Sequence, residues 1–282
     1  MGIFVKINFM KRIFLMATVL ALITSCSAQN KVKGDRDVIS VNGTLKTGIN
    51  TVEIGDDFEL ELVQSTSNEY TLTTDRNLTT VIDFQVKDSV LIIRPTSKIT
   101  NSKEMKVYLK LQNPQHIILK GNAELESNGM INVPNFTLTA RESSRFDFKL
   151  KSGKVWLNLS GKARGESVIS TGNLDIKMTD RTGFKGDFDA TNTKVNLSDN
   201  SELQVKGKTD HLDLTGANSA GYKGRKFEAD DANVTLSGRT STEIYTKDNL
   251  DVYAQDKASV ESYGKGEISM NALKGDASIT KK

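Results

Sequence analysis

The chain has 282 residues, with 38 basic against 35 acidic side chains, one cysteine, one tryptophan and three prolines. A formal charge of +3 on a mixed-sign sequence lacks the basic footprint of a nucleic-acid binder, so no nucleic acid is expected as a partner. A single cysteine excludes an internal disulfide framework. Stability must come from burial and backbone pairing, for which the length is ample.

The first segment reads as an export signal. Lys11-Arg12 precede an apolar stretch from Ile13 to Ile23, followed by small residues and Cys26. This is the three-part layout of a secretory leader over residues 1–25. A membrane-spanning helix needs about 20 apolar residues, and this run is shorter. Met10-Lys11-Arg12 is as natural an opening as Met1. Ile23-Thr24-Ser25-Cys26 resembles the bacterial lipobox. The resemblance implies that Cys26 is acylated, becomes the N-terminus and tethers the chain to a membrane through lipid. The outer membrane is the expected address, with the protein facing periplasm or cell surface. Cleavage removes Lys6, Lys11 and Arg12 and no acid, which leaves 35 basic against 35 acidic residues. The positive excess therefore belongs to the leader, and acylation also consumes the thiol that a cysteine nucleophile would need.

Residues 26–36 are polar and without periodicity, and read as a lipid-anchored tether. From Asp37 onward the pattern alternates. Phe58 to Leu62, Val90 to Ile93 and Met105 to Leu111 are period-2 stretches, as half-buried strands require. No stretch beyond the leader has apolar residues at helical spacing, so helix is expected to be scarce. The second half repeats: Leu138, Leu157, Ile176 and Val195 each open an apolar-x-apolar pair, and successive pairs lie 19 residues apart. Looser copies are read at Leu212-Asp-Leu214, Val234-Thr-Leu236 and Leu250-Asp-Val252. Turns are expected at Ser160–Ala163, Ser198–Ser201, Thr215–Asn218 and Ser237–Thr240, followed by short strands such as Phe146 to Leu150 and Phe184 to Phe188.

A 19-residue period of short strands without helix is a β-solenoid signature. Pro95, Pro114 and Pro134 all precede the regular repeat, within which a proline would delete a ladder donor. The predicted fold class is all-β: a β-solenoid with a less regular N-terminal β portion to about residue 114 and repeats from about 117. It forms one domain over 37–282. An antiparallel sandwich is the alternative.

Several segments resemble the auto-transporter adhesin, head GIN domain family of bacterial envelope proteins. They are Val52 to Gln64, Leu72 to Leu78, Val81 to Val86, Asp88 to Ile93, the Ser-Gly-x-Ala/Ser turns, and the tail from Tyr263-Gly264 through Ser278. The resemblance covers roughly Asp37 to the end and implies a β-helix-like solenoid with an adhesin-like role. It carries no catalytic or ligand residues across. The family's Ser-Gly-Ser-Gly turns stand here as Ser160-Gly-Lys-Ala, Ser198-Asp-Asn-Ser and Thr215-Gly-Ala-Asn, which weakens the idea of a turn-lined binding face.

Catalytic signatures are sparse. His116 and His211 are read as surface or turn residues, and there is no GxxxxGK[ST] loop, HExxH or calcium-binding nonapeptide. No metal or cofactor is implied. The positions between the inward pairs read Thr139, Asn158, Lys177, Asn196, Asp213, Thr235 and Asp251. Stacking is expected to align Asn158, Lys177 and Asn196, with Asp213 next, as a mixed polar ladder without paired carboxylates. Phe146, Phe148, Phe184 and Phe188 fall on the inward phase and read as core. Trp156 and Tyr253 take the outward phase, where an aromatic can stack on a sugar or anchor a partner. The expected function is a non-catalytic, adhesin-like envelope lipoprotein that presents a solenoid face to glycan or protein. The alternatives are a structural envelope-maintenance lipoprotein without a diffusible ligand, or a carbohydrate-active β-helix enzyme.

Overall fold

The computed structural model describes residues 30–282. The leader, Cys26 and the start of the tether lie outside the described residues. The remainder is all-β, with one short 3-10 turn at Arg76–Leu78. The N-terminal part contains β1 (Lys31–Lys33), β2 (Val38–Thr44), β3 (Thr51–Ile54), β4 (Glu59–Gln64), β5 (Glu69–Asp75), β6 (Ile82–Lys87), β7 (Val90–Pro95), β8 (Lys98–Asn101), β9 (Met105–Leu111) and β10 (His116–Leu119). The repeats follow as β11 (Glu124–Ala140), β12 (Arg145–Leu159), β13 (Arg164–Met178), β14 (Gly183–Leu197), β15 (Glu202–Gly216), β16 (Gly221–Leu236), β17 (Ser241–Ala254), β18 (Ser259–Gly264), β19 (Glu267–Leu273) and β20 (Ser278–Lys281).

Each long strand serves two parallel sheets because it bends midway. In β12 the alternation of buried and exposed residues breaks at Gly153 and Lys154, both exposed. The pairing to β13 likewise runs to Ser152 and resumes at Lys154. The hydroxyl just before the bend reaches across it: Ser152 Oγ donates to the Lys154 carbonyl at 3.0 Å, and Thr209 Oγ1 to that of His211 at 3.1 Å. Sheet A is made of β7, β3, β10, the second halves of β11–β17, and β19. Sheet B is made of β9, β4, the first halves of β11–β17, β18 and β20. This is the predicted solenoid, with about 9 coils from 116 to 281.

The N-terminal part completes that solenoid out of chain order. β3 pairs with both β7 and β10, and β4 with both β9 and β11. The coil at 51–64 is therefore sandwiched between those at 90–111 and 116–127. Antiparallel strands then close this end, β6 on β7 and β5 on β9, with β2 beyond β5. Tyr70 of β5 stacks on Phe84 of β6 at 3.9 Å, and Leu78 is fully buried. Such a cap protects edges that would otherwise recruit other strands. Part of the segment read as tether is held in place here: β1 pairs with β8, and the Asp35 amide donates to Asn77 Oδ1 at 3.0 Å.

The inward pairs pack as the period predicts, with Leu138, Leu157, Ile176 and Val195 all buried. Phe146, Phe148, Phe184 and Phe188 are core, as expected, and Phe227 extends the same file of rings. Phe146 and Phe184 approach to 5.4 Å although they stand two coils apart. They can do so because the residue between them is Gly165, where a Cβ would fall 2.4 Å from the Phe146 ring.

Coils connect through a stacked turn whose second residue has positive φ. That residue is Glu142, Gly161, Asp180, Asp199, Asn218, Gly238 or Asp256 in successive coils. Asp and Asn tolerate this conformation. Three of the four expected turns fall where the sequence put them. The fourth does not: it spans Ala217–Ala220, and Gly216 is the buried last residue of β15. The family's glycine turn is thus replaced without loss of geometry. The fourth turn position stays small and buried, as in Ala163, Thr182, Ser201 and Ala220.

Candidate functional site

The outward ladder differs from the expected one by a two-residue slip. Val195 stacks on Leu214, not on Leu212, so Asn196 faces Thr215 and Asp213 faces Lys194. Asp251 likewise belongs beside Asn233, and Tyr253 beside Thr235. The slip leaves inward and outward assignments intact, because residues two apart share a face.

The corrected register places Trp156 at the head of a column running Trp156, Asp175, Lys194, Asp213 along sheet A. A second column beside it runs Lys154, Asn173, Asn192, His211. Both repeat at about 4.8 Å, the strand spacing of a sheet. Trp156 is outward as predicted, and 40% exposed. Together the columns line a shallow groove of about 320 Å³ on the sheet surface. Its polar groups are held by neighbours: Asn192 Nδ2 donates to Asn173 Oδ1 at 3.2 Å, and Asn233 Nδ2 to Asp213 Oδ1 at 3.0 Å. His211 Nδ1 lies 3.6 Å from Asp231 Oδ2. Asp175 and Lys194 were missed by sequence reasoning. Counting on from Trp156 in the 19-residue step would have found both.

The other singled-out residues lie elsewhere. Tyr253 also points outward from sheet A but is half-buried, five strands from Trp156, or about 24 Å along the stack. Lys274 covers it, with Nζ 5.4 Å from the ring centroid and 3.3 Å from the hydroxyl. The two aromatics do not form one patch. Both histidines sit in sheet A strands rather than turns: His211 is on the surface, as expected, and His116 is half-buried. Burial lowers the pKa of His116, and its Nε2 has no hydrogen-bond partner.

Sheet B presents a different surface, which sequence reasoning also missed. Glu61, Glu126, Asp147 and Glu166 stack in consecutive strands, followed by Lys185. Lys106 meets Glu61 at 2.8 Å and Lys185 meets Glu166 at 2.8 Å. Hydrogen bonds from Lys106 and Asn128 hold Glu61 below the usual carboxylate range, and its hydrogen bond to Glu61 raises Lys106. This groove, about 890 Å³, is an open ion-paired sheet face.

A parallel solenoid with antiparallel strands over one end and polar sheet faces defines the class: a β-solenoid repeat protein. The family follows from the sequence match. Residues 49–165 and 153–266 each match the "Putative auto-transporter adhesin, head GIN domain" model, and the chain belongs to that family. Among solved structures, a "putative adhesin" of Parabacteroides merdae aligns with TM-score 0.70 at 17% identity, over 90% of this chain and 99% of that one. A "putative adhesin" of Parabacteroides distasonis aligns with TM-score 0.69 at 19% identity, over 90% of this chain and 100% of that one. A "putative lipid binding protein" of Parabacteroides distasonis gives 0.64 at 16% identity, over 90% of this chain and 100% of that one. At such identities the likeness is one of fold. None of the curated proteins matches this chain.

Proposed function

We propose that the protein is a non-catalytic, adhesin-like binding module of the cell envelope, held at the outer membrane by lipid on Cys26, and that sheet A contacts glycan around Trp156. The carrying observation is an indole 40% exposed in a groove lined by amides, carboxylates and two lysines. An exposed ring can stack on the apolar face of a sugar, while Asn and Asp side chains offer donors and acceptors to its hydroxyls. A flat ladder with evenly spaced polar groups suits an extended chain of sugars better than a buried small molecule. The family description and the adhesin names of its structural neighbours support the reading.

Trp156 is the only tryptophan in the chain, so its fluorescence reports on this groove alone. Titration with oligosaccharides should quench or shift that emission, and Trp156→Ala should abolish retention on a glycan array while leaving the fold intact. Unchanged emission across the whole array would favour the structural envelope-maintenance alternative. The anchor is read separately: labelled palmitate should enter the wild-type chain and not Cys26→Ala. Protease shaving of intact cells then decides between surface and periplasm.

A further inference from the structure

Among the described residues the two ends of the solenoid are not alike. The first is closed by β2, β5 and β6. At the other, β19 pairs only with β17 and β20 only with β18, so the outer edge of the last coil has no strand on it. That edge carries Met270, 60% exposed, and Leu273, 39% exposed. No proline blunts it; along β19 its charges stand at the two ends as Glu267 and Lys274, and Asp276, Lys281 and Lys282 stand at or beside the ends of β20.

The local geometry of β19 is self-complementary. Met270 lies opposite Val252 and Ala272 opposite Tyr253, so Asn271 is an extra residue in a bulge. The bulge restores Leu273 to the inward side, opposite Ala254, with Ile268 inward opposite Leu250. Without it, residues five apart would point to opposite faces. Lys274 donates its amide back to Ala254 at 2.9 Å. In a parallel ladder, residues alternate the neighbour to which they turn their N–H and C=O. The outward residues of β19 therefore bond to β17, and the inward-phase Ile268, Met270 and Leu273 turn their backbone groups to the free edge.

We propose that this edge is a homotypic docking site, at which a second copy of the chain pairs antiparallel through β19 about a twofold axis between Met270 and Asn271. In that register Glu267 faces Lys274 of the other copy, and Ile268 faces its Leu273 as a hydrogen-bonded pair; each pairing occurs twice. Ser269 faces Ala272, so outward residues meet outward residues. The occupant is a second copy because the strand matches itself in its end charges, in its Ile268–Leu273 pairs and in backbone polarity, with Met270 meeting Asn271 at the axis, as an isologous contact demands. The N-terminal strand β1 lies at the capped end. A docked pair therefore holds its two β1 strands at opposite ends, about ten strand spacings from the contact on each side, or roughly 100 Å apart. This geometry, which rests on the anchor reading above, joins chains from two facing membranes rather than neighbours in one.

Sedimentation velocity of the purified chain over a concentration series tests the docking without reference to anchoring, so failure of the anchor reading leaves this result unchanged. The wild type should show a monomer–dimer equilibrium. Glu267→Lys alone and Lys274→Glu alone each place like charges opposite one another and should weaken self-association at least about tenfold, with unchanged circular dichroism. An equimolar mixture of the two variants should regain the dimer, because each then faces an opposite charge. A monomer at every wild-type concentration, a dimer unaffected by either substitution, or no recovery in the mixture would overturn the proposal.

Discussion

Replacing Gly207 by alanine puts the packing argument under direct test. Gly207 stands opposite Phe188 in the ladder with φ at +108°, and a Cβ there would lie 2.1 Å from the Phe188 carbonyl oxygen. That oxygen is part of a backbone locked between coils, so it cannot retreat alone. A side chain at this φ costs about 1–3 kcal/mol, and forcing an atom into a filled site costs about 1–3 kcal/mol more. The expected loss is therefore about 2–6 kcal/mol, or a Tm lowered by at least about 4 °C for a chain of this size. Gly183→Ala is the matched control in the neighbouring coil. Its nearest neighbour would be Arg164 Cγ at 3.7 Å, and its φ is not positive. It should be neutral or stabilise by up to about 1 kcal/mol through the unfolded state. Thermal and denaturant unfolding followed by far-UV circular dichroism measure both. Equal effects of the two substitutions, or a Gly207→Ala loss below about 0.5 kcal/mol, would refute the reasoning.

The turn column makes a second prediction. Asp199 holds positive φ, accepts from the Asp180 amide at 3.3 Å and takes the Asn218 amide nitrogen at 2.9 Å. Asp199→Ala should therefore cost about 1–2 kcal/mol, and Asp199→Gly less, in denaturant melts. The first turn carries a pH signature. Burial, then Asp57 and Glu142, raise the pKa of Asp56 above the ordinary carboxylate value. A raised carboxylate penalises the folded state at neutral pH, and the penalty vanishes as pH falls through the folded pKa. Asp56→Asn, which also tolerates positive φ, should thus raise Tm at pH 7 and lose that advantage in acid; a gain independent of pH would contradict the assignment. Glu61 has the opposite sign. Its lowered pKa stabilises the fold above about pH 4.5 and is lost on acidification, so Glu61→Gln should flatten the acid limb of the stability profile.

Much of this protein is legible in one dimension. Alternation at Met105 to Leu111 marked a strand that is buried at every second residue. The 19-residue step marked Leu138, Leu157, Ile176 and Val195 as core before any contact was known. Trp156 could be placed outward because its neighbours Val155 and Leu157 had to be inside. Asp175 and Lys194 below it follow from the same 19-residue step, but the apolar pairs do not settle the next member, Asp213, because their step was lost after Val195. Leu212 and Leu214 are both inward and both apolar, and hydrophobic pattern cannot tell them apart. The coil at 51–64 was hidden for a similar reason. Its alternation fits any parallel neighbour, and its seat between later segments breaks chain order.

The sequence by itself determined the strands, their inward faces and the absence of long helices in the described region. These follow from local chemistry: which side chains must leave water, and at what period. Only the tertiary structure decided the register that sets Asp213 after Lys194 in the column of Trp156, the corner that divides each repeat between two sheets, and the contrast between the two ends of the described solenoid. Backbone ladders are built from groups common to every residue, so a slip by two positions conserves burial and hydrogen bonding alike. Where the pattern is degenerate in that way, only the packing of turns and rings selects one arrangement.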